Sequence, residues 1–335
     1  MLQLLFGKHV SHCISAIARI GIPDDMNGEP RAVEELAGKA SLHAPSLYRV
    51  MRTLSAFGLF VETPRRHFRL TELGKLLRTD APGSFRHLAM FMNGEISTSG
   101  FAHLADSIRT GASGIRAAYG KELFELLPDF PEEEGIFHMA MVGLSESVAE
   151  LIVAAYDFST VERLADIGGG HGKFLASILR AYPSLRGVLY DVPAVTSGVE
   201  AASCLAGVRD RVEIRSGSFF EQVPAGCDAY VLKHVLHDWD DDAAVRILRL
   251  VEQQLPPNGR VLVCEMVIGD EPGPSPAELL DIEMLAMTAG GRERTAAEFT
   301  ELLCASNLRL MRVIETATPY CIVEAVPARR NATGG

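Results

Sequence analysis

Asp166-Ile-Gly-Gly-Gly-His-Gly172 decides the fold, because it puts four glycines into the five positions 168–172 directly after a short apolar run, Arg163-Leu-Ala-Asp-Ile167. The run reads as a strand, and Lys173-Phe-Leu-Ala-Ser-Ile-Leu-Arg180 reads as the helix after it. A strand, a glycine-rich turn and a helix let the backbone approach a ligand with no Cβ in the way. Two nucleotide patterns fail on spacing. A dinucleotide G-x-G-x-x-G starting at Gly168 needs glycine at 173, which is Lys. A phosphate loop G-x-x-x-x-G-K-[ST] needs glycine at 167 and Ser or Thr at 174, and those are Ile and Phe. The turn therefore suits a nucleoside cofactor without a phosphate cradle, a description that S-adenosylmethionine (SAM) fits.

Downstream of the turn, short apolar runs alternate with helical patterns. The strand candidates are 163–167, 186–191, 211–215, 227–232, 259–265, 308–314 and 320–326. Such alternation implies an α/β domain with a largely parallel sheet covered on both faces. The last two runs are joined by only a few residues around Thr318-Pro319, too few for a parallel crossover. The final pair is therefore expected to be an antiparallel hairpin.

Upstream, residues 1–92 read as mainly helical. Residues 2–20 are apolar at helical spacing and stop at Gly21-Ile-Pro23; a short helix follows over 31–38 and another over 45–57, with Pro45 at an early position. Leu59-Phe-Val-Glu62 and His67-Phe-Arg-Leu70 flank Thr63-Pro-Arg-Arg66 as a small hairpin. Helix, turn, helix, hairpin is the order of a winged helix. Residues 93–158 form a helical, apolar-rich stretch that opens the second domain, 93–328, and the tail 329–335 is expected to be disordered.

Charge separates these parts. The net charge of −11 hides twelve Lys/Arg against eight Asp/Glu in residues 1–92, and twenty against thirty-five in the rest. The acidic part is a poor nucleic-acid binder. The winged-helix part could present Arg49 and Arg52 to DNA, but with a cofactor domain following it is read as a dimer module. No basic–apolar–small-residue leader is seen, since Lys8 and His9 interrupt the first apolar stretch, and no segment reaches about 18 uninterrupted apolar residues. The six cysteines are scattered without a C-x-x-C, which favours reduced thiols and a cytoplasmic protein. No membrane or nucleic-acid partner is expected.

Ligands of open α/β sheets bind beyond the carboxyl ends of the strands. Those ends carry Asp166 with Gly168 and Gly170; Asp191 in Val-Leu-Tyr-Asp191-Val-Pro193; Ser218 and Phe219; Lys233, His234, His237, Asp238 and Trp239; and Glu265. Asp191 lies 23 residues after Gly168, where a carboxylate can accept from both ribose hydroxyls; the alternative is a helix N-cap. Phe219 can pack on an adenine face or be plain core. His237 falls where a substrate would meet the cofactor, and Glu265 and Glu293 can converge on it. A carboxylate on one ring nitrogen would fix the tautomer and leave the other as a base. A metal held by His234, His237, Asp238 and Glu265 is the weaker reading, because H-x-x-H-D is poor ligand spacing on a strand end. The aspartates at 240–242 are read as first-turn charges of a helix over 240–255.

Taken together, Asp166-Ile-Gly-Gly-Gly-His-Gly172, Asp191-Val-Pro193, Lys233-His-Val-Leu-His-Asp-Trp239, Glu265 and Gly290-Gly-Arg-Glu-Arg-Thr295 resemble the plant caffeic acid-type O-methyltransferases and their bacterial natural-product relatives. With the winged-helix-like N-terminus, the resemblance covers nearly the whole chain. It implies a Rossmann-like methyltransferase sheet, mostly parallel with an antiparallel last strand, behind an intertwined homodimerisation domain. It implies SAM as methyl donor, S-adenosylhomocysteine as product, no metal, and a phenolic or enolic hydroxyl on an aromatic or polyketide-type acceptor. It makes His237 the base, flanked by Glu265 and Glu293. It makes Gly168, Asp191, Phe219 and Lys233 cofactor contacts, to which the strand-end reading adds Asp166, Gly170 and Trp239. Phe137, Met141, Met284 and Met287 fall in segments that line the family's aromatic pocket, with Asp238 at its mouth; methionine suits flat, variable rings. One departure stands out: Ser218 occupies the place of an acidic residue that contacts the adenine amino group, and a serine accepts more weakly. Three other readings compete. One is a SAM-binding relative with hydroxylase- or pericyclase-like chemistry, one a SAM-sensing winged-helix regulator, and one an NAD-dependent enzyme, the last disfavoured by the missing third glycine.

Overall fold

The computed structural model describes residues 1–26, 28–199, 203–269 and 273–328; the tail 329–335 lies outside them. The chain forms two compact units, one of residues 1–99 with 124–147 and one of 100–123 with 148 onward. The helical stretch expected over 93–158 is thus shared between both.

In the first unit, apolar residues at helical spacing build helices Gly7–Ile20, Val33–Lys39 and Ala44–Ala56. The first stops at Gly21, whose left-handed φ of 84° suits a residue without a Cβ. Leu47, Met51 and Leu54 line the buried side of Ala44–Ala56, while Arg49 and Arg52 are exposed. Strands Phe60–Thr63 and His67–Leu70 form the expected hairpin, and Arg31–Ala32 adds a third antiparallel strand. Phe60 and Phe68 close this small core against Ile17, Val33, Leu36 and Met51.

The second unit is an eight-stranded sheet. Its strands are β1 (Arg163–Ile167), β2 (Arg186–Asp191), β3 (Val212–Ser216), β4 (Ala229–Lys233), β5 (Arg260–Ile268), β6 (Arg294–Thr295), β7 (Leu308–Glu315) and β8 (Tyr320–Pro327). The order is β7-β8-β5-β4-β1-β2-β3, with β6 paired to the end of β5. Pairs among β1 to β5 are parallel; β8 pairs antiparallel with β5 and with β7, so the last two strands form the expected hairpin. Side-chain alternation divides the sheet into two apolar faces. Leu164, Leu189, Val231 and Leu262 pack with Phe174, Ile178 and Leu179 of helix Lys173–Ala181. Ala165, Ile167, Val188, Tyr230 and Val263 pack with Ile247 and Val251 of helix Asp241–Gln254 and with Phe299 of helix Ala296–Ala305. The strand order reverses between β1 and β4, which is where a doubly wound sheet opens a crevice for a ligand.

One helix, Pro131–Ala155, is long and apolar enough to cross a membrane by length and composition, although polar residues break its apolar run. Three glutamates open it, and Ala140, Ala149 and Ile152 within it are buried, the pattern of a core helix.

Candidate active site

The glycine turn is built by its own backbone. Gly168, Gly170 and Gly172 have φ of 66°, 58° and 80°, a region that L side chains avoid. A Cβ on Gly168 would lie 2.8 Å from Val235 and 3.6 Å from the Phe219 ring. The N–H groups of Gly168 and Gly169 donate to the Tyr190 carbonyl at 2.8 and 3.3 Å. Asp191, at the end of β2, accepts from Gly170 N–H at 2.8 Å on one oxygen and from Val192 N–H at 2.7 Å on the other. Its carboxylate therefore braces the turn. The N-cap of the following short helix is Val192, not Asp191.

Asp166 is buried at the end of β1, and its Oδ2 meets no donor. Burial pushes its pKa up to about 7, with Asp191 adding and the Lys233 ammonium opposing. Lys233 is lowered by burial and supported by Asp166. Phe219, Phe220 and Trp239 form an aromatic cluster with centroids 4.7–6.1 Å apart. The Ser218 hydroxyl accepts from Phe220 N–H at 3.2 Å, so it caps its own turn. An unpaired buried carboxylate oxygen, a glycine cradle and an aromatic wall together fit a nucleoside with a polar tail.

His237 sits in a single helical turn, Leu236–Asp238, just beyond β4. The chain reaches that turn through His234, whose φ of 55° is left-handed, a strained state for a non-glycine residue. The two glutamates expected to converge on the imidazole do different things. Glu293 accepts from His237 Nδ1 at 2.6 Å. Glu265 does not reach the ring; its Oε1 accepts from the backbone N–H groups of Val235, Leu236 and His237 at 3.2, 2.7 and 3.1 Å. The reason is local geometry. The turn at 236–238 aims three successive amides at the end of β5, and a carboxylate there is their nearest acceptor. Asp238 Oδ1 lies 3.6 Å from His237 Nε2. Burial works against charge on His237, but Asp238, Glu293 and Glu265 outweigh it and push its pKa up to about 9.

The Gly290-Gly-Arg-Glu-Arg-Thr295 segment serves this turn. A Cβ on Gly291 would press into the His237 carbonyl oxygen, so only glycine lets the segment lie so close. Arg294 is fully buried and donates to the Leu236 carbonyl at 3.1 Å, the Trp239 carbonyl at 2.9 Å and Asp241 Oδ1 at 3.0 Å. Asp281 accepts from Glu293 N–H at 3.0 Å. Sequence reasoning did not single out Arg294, Gly291 or Asp281 as site-building residues; Gly291 and Arg294 lie within the Gly290–Thr295 motif, whereas Asp281, twelve residues before Glu293, carried no signal. Asp241 also exceeds its expected role as a first-turn charge, and Asp240, one residue earlier, is the N-cap, accepting from Ala243 N–H at 2.8 Å.

Met284 and Met287 are buried on helix Pro276–Met287. Phe137 and Met141 belong to the first unit, where Phe137 packs on Phe91 and Phe124. His234, His237, Asp238 and Glu265 do not converge as a metal-holding group among the described residues.

Residues 101–308 match the O-methyltransferase domain and residues 2–80 the O-methyltransferase dimerisation domain. A phenazine O-methyltransferase of Lysobacter antibioticus is 38% identical over 98% of this chain and 95% of its own length. An 8-amino-8-demethylriboflavin N,N-dimethyltransferase of Streptomyces davaonensis is 33% identical over 94% of this chain and 91% of its own. The crystal structure of an O-methyltransferase from neocarzinostatin biosynthesis, in complex with SAM and 2-hydroxy-5-methyl naphthoic acid, superposes with a TM-score of 0.77 at 33% identity, covering 95% of each chain.

Proposed function

The chain belongs to this family of SAM-dependent methyltransferases, and from that premise we propose that it methylates a hydroxyl of an aromatic small molecule. The observation that carries the choice of oxygen is the His237–Glu293 pair at the sheet's ligand-binding end. A neutral amine already offers a lone pair, whereas a hydroxyl must give up a proton to become a good nucleophile. A histidine fixed by a carboxylate is a group that can hold that proton.

In this reading the Gly168–Gly170 turn, Asp166, Asp191, Ser218, Phe219, Lys233 and Trp239 hold the cofactor, with Asp191 on the ribose and Phe219 on the adenine. Bound SAM supplies a methyl group already activated by its sulfonium, so no metal is called for. Glu293 fixes the His237 ring through Nδ1. Nε2 faces the acceptor and holds its proton. Glu265 and Arg294 keep the turn that carries His237 in place. Met284 and Met287 would contact the flat acceptor. Orientation would supply much of the rate, since holding two reactants in line is worth up to about 10 kcal/mol of barrier. The N-terminal domain, residues 1–92, would serve as a homodimer module, as its match to the dimerisation domain supports.

The test is incubation with methyl-labelled SAM and a panel of phenolic and polycyclic quinone acceptors. Label on an acceptor oxygen, with equimolar S-adenosylhomocysteine, is the expected result. Label on nitrogen, or a changed product without a methyl gain, would refute the oxygen assignment.

A further inference from the structure

Five acidic side chains are buried among the described residues: Asp166, Glu265, Glu283, Glu293 and Glu324. Four of them have an answer within the protein. Asp166 faces the Lys233 ammonium. Glu265 holds three backbone amides, and Glu293 holds His237 Nδ1. Glu324 accepts from the Tyr156 hydroxyl at 2.7 Å and from Arg312 Nε at 2.7 Å. Glu283 is the exception. It is 8% exposed, its Oε1 meets no donor among the described residues, and burial is the one cause that raises its carboxyl to about 7. A buried carboxyl without a donor costs free energy, and a methionine or leucine of similar size would fill the place without that cost.

Its position on the helix indicates what could meet it. Helix Pro276–Met287 is tied to the segment that steadies the His237 turn, because Asp281 accepts from Glu293 N–H at 3.0 Å. Leu279 and Ile282 face outward on this helix, while Glu283, Met284 and Met287 are buried. Glu283 adjoins Met284 and stands one turn before Met287, so it shares the buried side with both. Those are the methionines that the proposed reaction gives to the flat acceptor, and the carboxyl is a polar point among them. The charge of the domain agrees in sign. Residues 93–335 carry twenty Lys/Arg against thirty-five Asp/Glu, a balance that favours a cationic ligand over an anionic one.

We propose that Glu283 is a specificity-determining residue, and that it binds an N–H group, an amine or a protonated ring nitrogen, which the aromatic acceptor carries in addition to its reacting hydroxyl. The inference rests on the methyl-transfer reading and adds a second point of recognition to it. The nitrogen supplies the donor that the fold leaves out. The carboxylate pairs with it where little water competes, which strengthens a charge-assisted hydrogen bond. Gripping the ring at two points also fixes which of its hydroxyls meets the methyl group. A ring with a carboxylate in the same place is turned away by like charge.

The experiment uses the full-length protein, saturating methyl-labelled SAM, and naphthols that carry an aminomethyl group at successive ring positions, each beside its ethyl isostere. Label on the hydroxyl oxygen is followed as kcat and KM. For at least one position the aminomethyl compound should have a KM lower by about tenfold or more than its isostere, as a hydrogen bond to a charged group is worth. Glu283→Leu should abolish that preference, and Glu283→Gln should shrink it at least about threefold, with both folds checked by circular dichroism. Equal KM values at every position in the wild type, or a preference undiminished in either variant, would overturn the inference and leave methyl transfer standing. If no naphthol were methylated while SAM binds, the methyl-transfer reading would fall, and this inference with it.

Discussion

Glu265 and Glu293 are alike in chemistry and separate in function. Glu265 is the acceptor for three buried backbone amides, so Glu265→Ala should destabilise the fold by about 3 kcal/mol or more, since each unmet buried donor costs about 1–3 kcal/mol. Glu265→Gln keeps an acceptor oxygen and should recover most of that in denaturant unfolding. Glu293→Gln should leave stability nearly unchanged yet lower kcat by roughly one to two orders of magnitude, because it removes the charge that orients the ring. Equal stability losses for Ala and Gln at 265 would refute the division. Both glutamates were legible as members of one cluster, since strand ends mark the crevice. Their division of labour was not. It depends on which way the amides of 235–237 point, and that is set by a strained His234 that no spacing rule reveals.

At the scale of elements, short apolar runs located seven strands of the large sheet to within a few residues, because strands packed by helices on both faces read as nearly continuous apolar stretches. Two-residue β6 escaped, since a strand that short has no period to read. The segment around it is nevertheless what fixes the His237 turn. Arg294→Lys should lower stability by at least about 2 kcal/mol and reduce kcat, because an ammonium cannot reproduce a planar fork aimed at two carbonyls and Asp241. Urea titration and steady-state kinetics would check this. Arg294 looks like a surface charge in sequence, and only the fold shows it fully buried. Helix Pro276–Met287 offers a pH test. Burial pushes the Glu283 carboxyl up to about 7, and its Oε1 meets no partner. A raised folded-state pKa favours the protonated form, so this group's contribution is full below the unfolded value near 4.3 and is lost as pH rises through 7. Glu283→Gln should therefore stabilise the protein at pH 8, by on the order of 3 kcal/mol at most, and flatten melting temperature between pH 5 and 8. An unchanged slope would contradict the burial.

For the whole molecule, the N-terminal helices leave Met1, Leu2, Leu4, Leu5 and Phe6 more than half exposed. Adjacent apolar side chains of this size mark an interaction surface. With the dimerisation-domain match, they predict a homodimer by light scattering, and Leu4→Glu with Phe6→Glu should shift it toward monomer. A wild-type monomer at micromolar concentration would refute the dimer. The winged-helix order was legible because its caps and turns are local. Its use was less so, since a basic balance alone does not separate DNA from a partner subunit. The structure pairs much of that charge internally, as in Arg31–Glu35, Arg66–Glu34, Lys39–Asp25 and Arg86–Asp24.

In the proposed reaction His237 carries the chemistry while a separate set of residues holds the cofactor. This division is tested most directly by measuring, in one preparation, SAM affinity by calorimetry and single-turnover methyl transfer for wild type and His237→Ala. The account predicts unchanged SAM binding and a transfer rate lower by roughly 10²–10⁴-fold. Transfer at the wild-type rate by His237→Ala, with SAM bound, would contradict it.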